Sequence, residues 1–209
     1  MINCFTVTGW TAVPVASKEI EDVMRMRSGE DARYNALFDS QIKILNLDLL
    51  DAPLRNGYIF KYKPLEPDEW QLVKKLRNLL MLYLDGILLC PMGIGNHIDH
   101  AICREAVVQL YNQTNVAFYE DLPYAARLGQ DQIFAEKTEL SSRLAVELQP
   151  HCYGLQDCQT DKEHAIRLYQ SQMNDDICSE ILAHMKAVSG ERLWGEARIL
   201  QQLPDALAC

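Results

Sequence analysis

Apolar and polar positions recur with two periods along this chain, one near two residues and one near 3.6. Residues 2–8 are rich in β-formers and predict a strand almost from the first residue; a loop with Pro14 follows over residues 9–16. Ser17 is a good N-cap, and Glu19, Glu21 and Asp22 stand where a first helical turn favours acids. That helical pattern runs to about Phe38, with Ser28-Gly29 its weak point. Residues 41–47 alternate as a short strand or extended segment, and residues 51–57 read as loop. Pro67-Asp68-Glu69-Trp70 opens a helix that reaches about Tyr83. Residues 86–90 are an unbroken apolar run, which predicts a central strand covered on both faces, and residues 99–111 predict a helix leaving its C-terminal end. Residues 116–119 form another strand, ending at Glu120-Asp121-Leu122-Pro123-Tyr124. Leu144, Val146 and Leu148 alternate as a later strand, and residues 160–173 and 177–188 read as helices.

Strands alternating with helices predict an α/β fold, a Rossmann-like, mostly parallel sheet flanked by helices. With 209 residues, no internal repeat and no linker-like stretch, a single domain over residues 1–209 is the expectation. The net charge of −9 disfavours nonspecific binding to nucleic acid or anionic lipid. The seven cysteines are scattered, odd in number and without a Cys-x-x-Cys pair, as expected of free thiols in a reducing compartment. The start has no basic n-region, and no stretch approaches the ~20 apolar residues of a membrane span, so a cytoplasmic protein without membrane partners is expected.

The densest chemistry lies in Pro91-Met92-Gly93-Ile94-Gly95-Asn96-His97-Ile98-Asp99-His100. Imidazoles and carboxylates bind metals and carry protons. If the helix begins near His97, both imidazoles share one face of its first turn, where free N–H groups suit an anionic or oxyanionic ligand. Asp99 is placed to orient a neighbouring imidazole through its ring N–H. The competing reading is a capped helix start with exposed imidazoles. No histidine precedes His97, whereas a catalytic zinc takes three protein ligands. Gly93-Ile94-Gly95 lacks the third glycine of a dinucleotide fingerprint, which weakens a nucleotide-binding reading.

Around that stretch the chain resembles the PIG-L/LmbE-type N-acetylglucosaminyl deacetylase family, in which a central strand ends in Pro and a glycine-bearing loop leading to His-x-Asp-His. Further segments match in order: Arg27 to Ala32, which is similar to the family's Arg…Glu-Asp-x-x-Ala helix, Asp51-Ala52-Pro53-Leu54-Arg55, Tyr119-Glu120-Asp121-Leu122-Pro123-Tyr124, Lys162-Glu163-His164-Ala165-Ile166 with Tyr169-Gln170-Ser171-Gln172, and Glu191-Arg192-Leu193-Trp194. The resemblance implies a zinc-dependent hydrolase that removes the acyl group from N-acetylglucosamine-containing or related small molecules. It implies that His100 is a metal ligand, that His97 steadies the oxyanion or protonates the leaving amine, and that Asp99 is the orienting carboxylate. The family's opening strand ends in His-Pro-x-Asp-Asp, which supplies two further zinc ligands and the general base. The chain has no match to it, so about one strand–helix unit of roughly thirty residues is expected to be missing. An uncovered sheet edge would then invite pairing with another copy, as a homo-oligomer.

Other residues carry paired readings. Glu120 and Asp121 either bind substrate hydroxyls or form an acidic turn. Asp51 and Arg55 either grip a sugar or make a surface ion pair. Arg27 and Glu30 read as a structural i,i+3 pair. His151, near Cys152 and Cys158, fits no zinc module and reads as a loop residue; His164 and His184 read as surface or packed side chains, and Trp70 and Trp194 as core or interface. Two functions stay open: an N-deacetylase with little activity as this chain alone, and a non-catalytic relative that binds a sugar or anion, or a partner.

Overall fold

The computed structural model describes residues 1–61, 64–154 and 159–203. In chain order its elements are β1 (Ile2–Asn3), α1 (Ile20–Ala36), β2 (Leu45–Asn46), α2 (Ala52–Asn56), α3 (Pro67–Leu80), β3 (Ile87–Pro91), α4 (Ile98–Val108), β4 (Asn115–Tyr119), α5 (Gln130–Leu144), β5 (Gln149–Tyr153), α6 (Gln159–Arg167), α7 (Asp175–Ala187), β6 (Glu191–Gly195) and α8 (Ala197–Leu200). The α/β class is as expected. Contacts gather into two compact units, Met1–Ile59 with Asp157–Leu182, and Phe60–Gln156 with Ala183–Cys209.

In the first unit, β1 pairs parallel with β2 over two residues only. The strand expected over residues 2–8 is interrupted where Thr6 Oγ1 donates to Asp48 Oδ1 at 2.9 Å and Asp48 turns left-handed at φ 51, and parallel backbone pairing resumes at Val7 with Leu50. α1 starts two residues later than Ser17 suggests. Glu19 is its N-cap, and Ser17 Oγ accepts the Glu19 N–H at 3.2 Å. The helix runs unbroken through Ser28-Gly29, where the neighbouring Glu30, fully buried, accepts from Ser171 N at 2.6 Å and Ser171 Oγ at 2.7 Å. That anchor offsets the roughly 1 kcal/mol that a mid-helix glycine costs. Arg27 does not pair with Glu30; it donates to Gln172 Oε1 and to the Trp10 carbonyl. Residues 51–57 hold a short helix instead of a loop: Asp51 Oδ1 accepts the Leu54 N–H at 3.2 Å, Pro53 stands in the first turn and Gly57 closes it.

The second unit is built on a four-stranded sheet of order β3-β4-β6-β5. β3 and β4 are parallel, with Ile87 opposite Asn115, whereas β6 runs antiparallel to both β4 and β5. The sheet is therefore mixed, not mostly parallel. β3 is also not central: among the described residues it is an edge strand of this sheet, and Leu89 is 49% exposed. An apolar run reports that side chains find cover, and here α4 packs on β3; it does not report how many strands flank it. β4 is the buried strand, with Val116, Ala117 and Phe118 fully covered. Ile98, Ile102 and Ala106 of α4 and Val73 and Leu76 of α3 complete this core, each large side chain contributing about 1.5–3 kcal/mol on burial.

Residues 144–148 are not a strand. α5 ends at Leu144, Ala145 caps it in the left-handed region, and pairing begins at Gln149. His151 lies in β5 and not in a loop, its ring edge-on to Tyr153 at 4.6 Å. Cys158 and Cys209 lie outside the described residues, while Cys4, Cys90, Cys103, Cys152 and Cys178 are free thiols as expected. Trp194 is fully buried, Trp70 is 38% exposed, and His184 is buried. No helix among the described residues is long and apolar enough to cross a membrane.

Candidate functional site

The turn between β3 and α4 creates the site in the second unit. Gly95 adopts φ 82, and a Cβ there would stand 2.4 Å from the Cβ of Tyr124. Glycine is thus required twice over, for the left-handed backbone and for the approach of Tyr124. His97 is the N-cap of α4: its Nδ1 accepts the Asp99 N–H at 3.3 Å. His100 follows one turn on, and the two imidazole centroids are 4.7 Å apart, tilted by 35°. The helix start is therefore both a cap and a pair of neighbouring imidazoles.

The carboxylate that meets the ring of His100 is Asp121, from the end of β4, where the resemblance gave the orienting role to Asp99. His100 Nδ1 lies 2.6 Å from Asp121 Oδ1, and Asp121 Oδ2 accepts the Ile94 N–H at 2.9 Å. Asp121 is 1% exposed. A carboxylate only accepts, so Nδ1 carries the proton in this contact and Nε2 is the ring nitrogen left facing away from Asp121. Nε2 has no partner among the described residues, and the side chain is 31% exposed. Asp121 is thus engaged inside the protein, not open for substrate hydroxyls. Asp99 is buried at the first turn of α4.

Glu120, also expected at substrate, points inward as well. It accepts from His184 Nε2 at 2.8 Å, from Arg192 Nε and from the Trp194 indole N–H at 2.9 Å. Burial pushes its pKa up, but these three hydrogen bonds and the Arg192 charge outweigh burial and hold it below the usual carboxylate value. The two residues just past β4 thereby reach different partners: Asp121 the imidazoles and Glu120 the lock around Trp194. Asp51 and Arg55 belong to the first unit. Asp51 caps α2, and Arg55 donates to the Leu50 carbonyl with its guanidinium 4.9 Å from the Phe5 ring centroid.

Two residues of the site escaped the sequence reading. Tyr124 stands 5.6 Å from both His97 and His100 by ring centroids. Burial first, then the charges of Asp121 and Asp99, push its hydroxyl up to about 12, against the opposing Arg127. Its signal was the last position of the Glu-Asp-Leu-Pro-Tyr block. Phe60 bridges to the His97 backbone and sets its ring perpendicular to His97 and Tyr124; nothing in its local sequence marks it.

Among the described residues, no group of three His, Cys, Asp or Glu side chains is arranged to hold a metal ion. His100, with Nδ1 backed by a carboxylate and Nε2 outward, has the form of a metal-binding histidine, but one nitrogen does not make the three-ligand set of a catalytic zinc. The donors present do not fit that ion, and the site's chemistry follows from the imidazoles, Asp121 and Tyr124.

No protein-family model and no curated protein matches the chain. Solved structures do. The antimicrobial A40926 pseudoaglycone deacetylase Dbv21 is 19% identical over 92% of this chain and 84% of its own, with a TM-score of 0.58. A deacetylase–bog complex from the biosynthesis pathway of teicoplanin is 18% identical over 92% and 85%, with a TM-score of 0.60. The zinc-inhibited form of teicoplanin deacetylase Orf2 is 16% identical with the same coverage and a TM-score of 0.60. The chain has the fold of these deacetylases. At such identity the likeness is one of fold. What the site does follows from the residues that line it.

Proposed function

We propose that the chain is an N-deacetylase-type amide hydrolase by ancestry, that its ligands are N-acylated, sugar-containing small molecules, and that the acyl group is handled at His97 and His100, with Asp121 orienting the His100 ring from behind. The observation that carries this reading is the oriented imidazole: His100 Nδ1 held 2.6 Å from a buried Asp121 that is itself fixed by the Ile94 N–H. Such a ring offers Nε2 to the N–H of an amide or to the proton of a water molecule, the work of a general base. Tyr124, protonated up to about 12, supplies a donor for a carbonyl oxygen beside it. The deacetylase fold and the order of matching motifs support the substrate class.

The donor count favours a second reading, a relative that binds the same ligands without rapid turnover. One experiment addresses both. Release of free amine from an N-acetylglucosaminide is followed with and without added Zn²⁺, beside binding of the same compound, for the wild type and His100→Ala. Binding that His100→Ala weakens at least tenfold, with slow or no amine release, is the expected result. Robust turnover abolished by His100→Ala would mean that other residues complete a catalytic centre. Failure of the wild type to bind the compound at all would overturn the reading.

A further inference from the structure

We infer that Phe60 is a stacking platform for a ring with an apolar face, and that it makes the His97–His100 site select pyranosides over open-chain amides. The inference rests on the reading of the site given above and adds the residue that sets its specificity. Scattered exposed aromatic side chains are ordinary, but Phe60 is not isolated. Its ring centroid lies 6.0 Å from His97 and 5.6 Å from Tyr124, with interplanar angles of 84° and 87°. His97, His100 and Tyr124 in turn lie 4.7–5.6 Å from one another. Phe60 is the outer member of this four-ring cluster and stays 43% exposed.

Its backbone is held as well. Phe60 bridges to His97, and the next residue, Lys61, donates its N–H to the Asn96 carbonyl at 3.0 Å. An apolar ring is thus kept open to solvent, and kept in place, by the same turn that positions the imidazoles. The negative face of a phenyl ring attracts groups with polarised C–H bonds. The flat face of a pyranose, lined with axial C–H groups, is such a surface. An acyclic chain carries the same amide without it, and loses more rotamer freedom on ordering. A ligand whose amide meets His100 Nε2 and whose sugar ring lies on Phe60 would use both parts of the cluster.

Nuclear magnetic resonance titrations with two probes, methyl 2-acetamido-2-deoxy-β-D-glucopyranoside and N-acetylethanolamine, test this on the full chain. The wild type is expected to prefer the glycoside by about tenfold in Kd, about 1.4 kcal/mol. Phe60→Ala and Phe60→Leu should each reduce that preference to twofold or less, and Phe60→Trp should restore it. The Leu variant keeps apolar bulk without a ring face, so it separates stacking from folding should the Ala variant fail to fold. Equal binding of the two probes by the wild type, or a preference that survives in Phe60→Leu, overturns the inference while leaving the amide site standing. A wild type that binds neither probe overturns the site itself.

Discussion

Replacing Glu120 should expose how the end of β4 is held. Its side chain is 4% exposed and receives three donors from β6 and α7: Arg192, Trp194 and His184. The side chains of Arg192 and His184 are only 9% and 7% exposed, so water replaces the lost acceptor poorly. Glu120→Ala removes the carboxylate partner of Arg192, which keeps only Gln130 as an acceptor among the described residues, and leaves the indole N–H without its acceptor, which places its cost at about 3–5 kcal/mol. That is a large part of a stability of about 5–15 kcal/mol, so Glu120→Gln is the graded probe. It keeps the shape and one acceptor oxygen and loses the charge, for about 1–3 kcal/mol at neutral pH. The pH dependence follows from the depressed pKa. The unfolded carboxylate binds protons at higher pH than the folded one, so the stabilisation by Glu120 is complete above about 4.5 and is lost as pH falls through its lower folded value. Urea unfolding followed by tryptophan fluorescence, with Trp194 as the buried reporter, should show a constant gap between wild type and Glu120→Gln from pH 7 to 5 that closes in stronger acid. A gap below about 0.5 kcal/mol at pH 7, or one that widens in acid, would refute the lock.

Asp121→Asn should change which ring nitrogen of His100 carries the proton, since the amide can present its NH₂ to Nδ1; the nitrogen-15 shifts of the imidazole read this directly, and a wild-type ring protonated on Nε2 would contradict the assignment. Gly95→Ala should cost about 3 kcal/mol or more through its left-handed backbone and the Tyr124 clash, against about 1–2 kcal/mol for Gly86→Ala, which has φ 88 and nothing within 4 Å; equal losses in unfolding midpoints would remove the packing argument. Glu30→Ala in the first unit should lose about 2–4 kcal/mol because Ser171 N and Oγ are both orphaned in a fully buried place, and Ser171→Ala should lose less, since it removes only the hydroxyl bond.

Elements with strong local signals were legible. α3 announced itself through Pro67 and the acids after it, and Glu69 does reach back to the Glu66 N–H at 2.6 Å. β3, β4 and α4 fall within a few residues of their expected bounds. What escaped lacked such a signal or depended on partners distant in sequence. α5 offers only Ile133 and Leu140 as fully covered positions in fifteen residues, too sparse a stripe to stand out. β6 is five residues with charge at its start, and its place between β4 and β5 is a matter of pairing that no local period encodes. α2 was readable after all: an Asp, a Pro two residues on and a closing Gly are cap signals, overshadowed by the turn propensity of the same residues.

The site divides along the same line. His97 and His100 share a turn, so their neighbourhood was legible from spacing alone. The partner of His100 was not, because two carboxylates competed for it. Asp99 is adjacent in sequence, and Asp121 is 21 residues away. On a helix, successive residues point about 100° apart, so Asp99 does not share the outward direction of His100. The parallel pairing of β3 with β4 decides the matter: with Pro91 opposite Tyr119, the two strands end level, and the residues just past each end meet. Ile94 then donates to Asp121, and Asp121 receives His100, so one carboxylate closes the β3–α4 turn and orients the imidazole in the same act. A side-chain cluster built this way places the contact that orients its imidazole beyond the reach of any window shorter than a strand–helix–strand unit.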